Sequence, residues 1–255
     1  MCGLFGWILT KPEPVLAAVL ALESEDRGTD SWGAATPDRT RWEATKGLGR
    51  VGSVLAWLAR EPVVMGHTRH ATQGEVTIPN AHPFRREKIL LAHNGAVYGR
   101  AAETYPVDSM ILAYRIAVGR ALKDLDGWGC VTWTHDDWTS GVRLCRIGSG
   151  PLHYASGRWG TAWASERGAL TLALRAARLE ASVKECAEHT VYAASIGGVV
   201  ETTKRLRWRA GSKVYRWTQE DLEHWYAAQK KPLNGDTPSA PVWTPSLKDI
   251  ADAAE

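Results

Sequence analysis

The chain has 255 residues, a formal net charge of +3, 44% hydrophobic and 23% charged residues, the balance of an ordinary soluble globular protein with room for one large core or two small domains. So weak a charge excess gives no reason to expect nucleic acid or an acidic membrane surface as a partner. No apolar run approaches the roughly 18 residues of a membrane span, the start lacks the pattern of a secretory leader, and Cys2, Cys130, Cys145 and Cys186 form neither a CxxC pair nor a disulfide framework, so a reduced, cytoplasmic protein is expected.

In chain order, residues 3–9 are apolar and turn-bounded, the pattern of a buried strand. Residues 12–26 read as a helix, with Pro12 and Pro14 near its start and Val15, Leu16, Val19, Leu20 and Leu22 along one stripe; Gly28 ends it. Residues 31–36 and 40–45 read as strands joined through Pro37 and Asp38. A short helix is expected at 51–58. Strands are expected at 62–67 and 88–93, with a long polar loop between them. Ile111, Tyr114, Val118 and Leu122 recur at helical spacing and predict a helix over 108–125, capped by Asp108 or Ser109. Short strands follow at 130–134, 141–146, 152–155 and 161–164, then a helix at 166–179 and strands at 190–194, 199–203 and 213–217. At Gln219 the composition shifts to a helix over 219–228 and a Pro-rich polar tail over 230–255. This order favours antiparallel sheets with helices packed outside over a parallel βαβ fold.

Two stretches carry chemistry. MGHTRHATQGEVTIPNAHPF, residues 65–84, holds three histidines, an arginine and an asparagine in one loop region, a composition unsuited to a core element. LLAHNGAVYG, residues 90–99, brings His93, Asn94 and Gly95 to the end of an apolar strand. An asparagine amide beside an unhindered glycine N–H suits an oxyanion hole, although Asn-Gly is also a common turn dipeptide. Cys2 has two readings as well. It is a small buried hydrophobe, or, once Met1 is removed, a thiol with its own α-amine as base.

Taken in order, Cys2, RGTDSWG (27–33), GHTRHATQG (66–74), NAHP (80–83) and HNG (93–95) resemble the glutaminase domain of class II glutamine amidotransferases, which are N-terminal-nucleophile hydrolases. Glucosamine-6-phosphate synthase and amidophosphoribosyltransferase carry such domains. VDSM (107–110), CRIGSGPL (145–152) and WASE (163–166) extend the resemblance more weakly, over residues 2–200 in all. It implies an α+β fold, a four-layer αββα sandwich of two antiparallel sheets. It implies a glutaminase domain over 2–218, with 219–255 as an appended helix and tail.

The resemblance also implies roles. Cys2 attacks the side-chain amide of glutamine and forms a γ-glutamyl thioester. Asn94 and Gly95 hold the oxyanion. Arg69 clamps the substrate α-carboxylate, Asp108 holds its α-ammonium, Thr72 and His82 line the pocket, and Arg27 lies near the nucleophile. Asp108 also reads as a simple helix cap, because only 12 residues separate it from Gly95 in the sequence. His70 stands where several members have Trp, and Gln73 where they have His. No cofactor is expected. A zinc hydrolase built on His67, His70, His82 and His93 is a rival reading, weakened by the lack of a carboxylate-rich HExxH element. No second catalytic motif follows residue 200, so the ammonia acceptor is expected on a separate synthase partner. A stand-alone hydrolase of another γ-glutamyl amide and a catalytically silent regulatory homologue are the alternatives.

Overall fold

The computed structural model describes residues 2–120, 122, 125–136, 141–206 and 209–210. The chain opens with β1 (Gly3–Leu9), α1 (Pro14–Glu25), β2 (Ser31–Pro37), β3 (Trp42–Leu48), α2 (Leu55–Leu58) and β4 (Val63–Arg69). It continues with β5 (Phe84–Arg86), β6 (Ile89–Tyr98), α3 (Arg100–Glu103), α4 (Ser109–Ala117), β7 (Asp126–His135) and β8 (Val142–Ile147). It closes with β9 (His153–Gly157), β10 (Gly160–Ala164), α5 (Arg167–Ala176), β11 (Lys184–Glu185), β12 (Thr190–Ser195), β13 (Gly198–Arg205) and β14 (Arg209–Ala210).

Two sheets face each other. The first runs β11-β9-β10-β1-β4-β2-β3 and the second β13-β12-β8-β7-β6-β5. Every pair in these two paths is antiparallel; β14 adds to β7 in parallel. Alternation along β1 explains the layering, since neighbouring side chains of a strand face opposite ways. Phe5, Trp7 and Leu9 join Leu16, Leu20 and Leu170 of α1 and α5 in the outer core. Leu4 and Ile8 enter the core between the sheets with Met65, Leu90, Leu144 and Trp163. A third core lies between the second sheet and α4, built on Leu91, Val131, Ile111 and Leu112. The result is an α+β protein of helices, sheet, sheet, helices. Among the described residues no helix is long and apolar enough to cross a membrane.

Several expectations need adjusting. The helix expected over 108–125 stops at Ala117, because Gly119 turns the chain at φ 66°. Helix α1 starts at Pro14 rather than residue 12. Strand β3 starts at Trp42, because Asp38 N–H donates to Arg41 C=O and closes a turn over the residues before it. Strand β4 runs to Arg69, and β6 runs through Asn94 and Gly95 to Tyr98. Pairing extends both, since β2 and β1 accompany β4 to its last turnless residues and β7 accompanies β6 along its whole length. His93, Asn94 and Gly95 are therefore mid-strand rather than at a strand end. The short elements β5, α3 and β11 had no clear sequence signal. The expected strand at 213–217, the helix at 219–228 and the tail at 230–255 lie outside the described residues.

Candidate active site

Central strands β1 and β4 of the first sheet end side by side, with Gly3 opposite Thr68. Cys2 sits just ahead of β1 and Arg69 ends β4. The half-buried Cys2 thiol lies 3.4 Å from the His70 carbonyl oxygen and 3.4 Å from the His70 amide nitrogen, able to donate to the first and accept from the second. Burial pushes the thiol pKa up, and the His70 N–H and the nearby Arg69 charge oppose that rise. Arg27 Nε donates to the Cys2 carbonyl over 3.1 Å, and the same guanidinium pairs with Glu166. Arg27 thus touches the backbone of the candidate nucleophile.

The second sheet meets this edge through β6. His67 Nε2 lies 3.1 Å from the His93 carbonyl, a link between the two sheets one residue from Asn94 and two from Arg69. Asn94 is buried and opposite Cys130 in register, and Cys130 lies within electrostatic reach of both Cys2 and Arg27. Burial raises the Cys130 thiol to about 12 and keeps it protonated. Gly95 faces Gly129 across the β6–β7 pair. A Cβ at Gly95 would stand 2.1 Å from the Trp128 carbonyl oxygen and 2.5 Å from Gly129 Cα, so no larger residue fits this approach.

Arg69 is almost fully buried, and the loop after β4 wraps its guanidinium. Nη2 donates to the Gln73 carbonyl at 2.6 Å and the Gly74 carbonyl at 3.3 Å, and Nη1 to Glu75 at 3.1 Å. Asn80 Nδ2 also donates to the Glu75 carbonyl, at 3.0 Å. Thr72 is exposed on that loop. Asp30 holds the base of the loop: its carboxylate accepts from Ala71 N–H at 2.7 Å and lies 3.6 Å from His70 Nδ1.

Asp108 is buried and has two tasks already. It accepts from Val97 N–H at 2.6 Å and from Ser109 N–H at 2.7 Å, capping α4 and tying it to β6. Ser109 Oγ in turn lies 2.9 Å from His93 Nδ1. Asp108 is also within electrostatic reach of Cys2 and Arg69. His82 is sealed from solvent, its ring packed at a tilt between those of His67 at 4.0 Å and Phe84 at 4.3 Å. Desolvation depresses both imidazoles, His67 to about 3 and His82 well below its usual value. Lys46 Nζ, also depressed by burial, to about 8, donates to the Ala81 carbonyl at 2.6 Å and braces that segment.

Cys2, Arg27, Arg69 and Asp108 therefore lie around one edge, and Asn94 pairs across β6 with Cys130, which is within electrostatic reach of Cys2. Thr72 stands on the surrounding loop, and His82 belongs to the packed layer behind. The sequence reading missed Glu166, Asp30, Ser109 and Lys46. The first two had a signal, since they end WASE and sit inside RGTDSWG. Among the described residues, no group of three or more His, Cys, Asp or Glu side chains is arranged to hold a metal ion.

Comparison with known proteins finds similarity in sequence and in fold. Residues 43–110 match the family model described as glutamine amidotransferases class-II. The glutamine–fructose-6-phosphate aminotransferase (isomerizing) of Bradyrhizobium diazoefficiens is 35% identical over 103 residues, 38% of this chain and 17% of that protein. The match thus spans about a sixth of that relative's length. The solved glutamine phosphoribosylpyrophosphate amidotransferase from B. subtilis superposes with a TM-score of 0.57 at 17% identity, over 82% of this chain and 50% of that one. A glutamine aminotransferase class-II domain protein from Silicibacter pomeroyi superposes with a TM-score of 0.50 at 14% identity, over 81% of this chain and 100% of that one. Residues 43–110 thus match the class II glutamine amidotransferase family model, and the fold is similar to that of the solved amidotransferases.

Proposed function

We propose that this domain is a working glutaminase whose nucleophile is Cys2 after removal of Met1. The observation that supports the reading is the position of Cys2, heading the central strand of one sheet, with Arg27 on its carbonyl and Cys130, the cross-strand partner of Asn94, within electrostatic reach. Desolvation raises the pKa of its thiol, so attack calls for a base. A free α-amine has a pKa of about 7.7–8.0 against about 8.5 for an ordinary cysteine thiol, a close match for proton exchange.

In the first step the thiol sulfur bonds to the carboxamide carbon of glutamine while its proton passes to the α-amine. The Asn94 amide and the Gly95 N–H hold the oxygen that becomes charged. The tetrahedral intermediate then breaks its C–N bond, the α-ammonium returns the proton to the leaving nitrogen, and ammonia departs. Water cleaves the γ-glutamyl thioester to glutamate and free thiol. Arg69 and Asp108 bear the charges that complement the α-carboxylate and α-ammonium of an amino acid, with Thr72 and Arg27 around them and His82 supporting the layer behind. Since the Arg69 fork is filled by loop carbonyls, the loop over 70–77 must shift for a carboxylate to enter.

Ammonia passes, on this reading, to a synthase partner on another chain, in the cytoplasm. The glutaminase domain occupies 2–218 and the segment 219–255 is appended to it. Support comes from the Silicibacter pomeroyi chain, whose whole length this fold covers. Basal ammonia release is then low and rises when partner and acceptor are added.

The test is intact-mass analysis combined with labelling. Active protein should lack Met1, and a glutamine-like electrophile should add one equivalent to Cys2 and stop ammonia release. Full activity with Met1 still attached would end the proposal.

A further inference from the structure

Cys2 lies just outside the hydrogen-bond ladder of its sheet, which begins at Gly3. A chain end in that position frays unless something ties it down. Its thiol has only the two 3.4 Å approaches to His70, and its carbonyl accepts from Arg27. Arg27 is a long side chain on the turn after α1, with many rotamers of its own. What fixes its direction is the carboxylate of Glu166, at the head of α5.

Glu166 is itself on a rigid mount. The preceding residue, Ser165, is buried and bolted to β1 by two hydrogen bonds. Ser165 N–H donates to the Leu4 carbonyl at 2.8 Å, and Leu4 N–H donates to Ser165 Oγ at 3.2 Å. These bonds place the carboxylate in register with the start of β1, so the path Ser165–Glu166–Arg27–Cys2 closes a loop on the strand that bears the thiol. The ion pair is partly open to water, with side-chain exposures of 19% for Arg27 and 37% for Glu166. Such pairs add little to folding, so stability gives a weak reason for its presence.

We propose that Glu166 is a positioning residue: it locks the Arg27 guanidinium against the Cys2 carbonyl and thereby sets the direction in which the residue presents its thiol and, once Met1 is gone, its α-amine. The proposal rests on Cys2 as nucleophile. Other charged or titratable groups reach Cys2 from neighbouring elements, namely Arg69, His70, Asp108 and Cys130. None of them contacts its main-chain carbonyl among the bonds described, which leaves that task to Arg27.

Glu166→Gln keeps the size of the side chain and removes the charge. In the full chain we expect it to lower kcat for glutamine hydrolysis about ten- to a hundredfold, with KM within about twofold and little change in melting temperature. Glu166→Asp should recover part of the lost kcat. Hydrogen exchange gives a readout independent of glutamine: the Gly3 and Leu4 amides should exchange about tenfold faster in Glu166→Gln, with β7 and β8 unchanged. Wild-type kcat and unchanged exchange at Gly3 and Leu4 would overturn the proposal. So would a raised KM at constant kcat, which would make the pair part of substrate binding. If Glu166→Gln fails to fold, Arg27→Lys decides. It keeps the charge but cannot bridge carbonyl and carboxylate, and must show the same loss of kcat. Should Cys2→Ala leave ammonia release intact, the nucleophile reading falls, and the exchange experiment alone still judges the lock.

Discussion

Two neighbouring regions use polar side chains in opposite ways. At the rim, Cys2, Arg27, Glu166, His70 and Asp30 are partly exposed, and their bonds run mostly to the backbone of the strand ends and the loop. Behind them, His67, His82 and His93 are at most 3% exposed, and two of the rings pack against each other at a tilt of 37°. Rim groups stay within reach of water. The inner imidazoles are held neutral by desolvation and act as shaped spacers between the sheets. Changes at the rim should therefore be read in rates, and changes in the inner layer in stability.

The sharpest break of that contrast is Cys2→Ala. It should reduce ammonia release by about 10⁴-fold or more, while the melting temperature stays put; a large fall in stability would move Cys2 into the structural group. Asn94→Ala comes next. Loss of one oxyanion donor should lower kcat by about 10²–10³ with glutamine KM little changed, as steady-state kinetics can establish. His82→Ala tests the other side: emptying the stack between His67 and Phe84 should cost about 2–4 kcal/mol in urea unfolding.

A further effect is expected in acid. A histidine whose pKa is depressed by folding binds its proton more readily when unfolded. Its contribution to stability is complete above the unfolded value of about 6.5 and is lost as pH falls toward the folded one, about 3 for His67. Stability should thus decline below about pH 6.5, by up to about 1.4 kcal/mol per pH unit for each such histidine. Urea midpoints between pH 7 and pH 4 check this, and His82→Phe should flatten the slope. An unchanged slope would mean that the inner layer does not govern acid sensitivity.

Much of this was legible in the sequence because local pattern and tertiary demand agree. The turn-bounded apolar run of residues 3–9 predicts β1, and the stripe from Leu16 to Leu20 predicts the buried face of α1. The polar cluster from His67 to Asn94 marks the site region. What escaped depends on partners far along the chain. Arg27 and Glu166 are 139 residues apart, and no local rule pairs them. The course of β6 through Asn94 and Gly95 relies on Gly129 lying opposite, which turns a turn-like dipeptide into the middle of a strand. Gly119 did carry a readable stop for α4, overridden in the reading by the periodicity that continues to Leu122.

The Cys2 thiol and the Asn94–Gly95 pair belong to separate sheets, joined nearby by the contact of His67 with the His93 carbonyl. On the proposed mechanism the span between them is a gap width, and the filling of that gap is Leu4, Met65, Leu144 and Trp163. Trimming one of these residues would leave the thiol and the amide chemically intact yet alter how far apart they stand. On that proposal, turnover is calibrated by hydrocarbon volume well away from the chemistry.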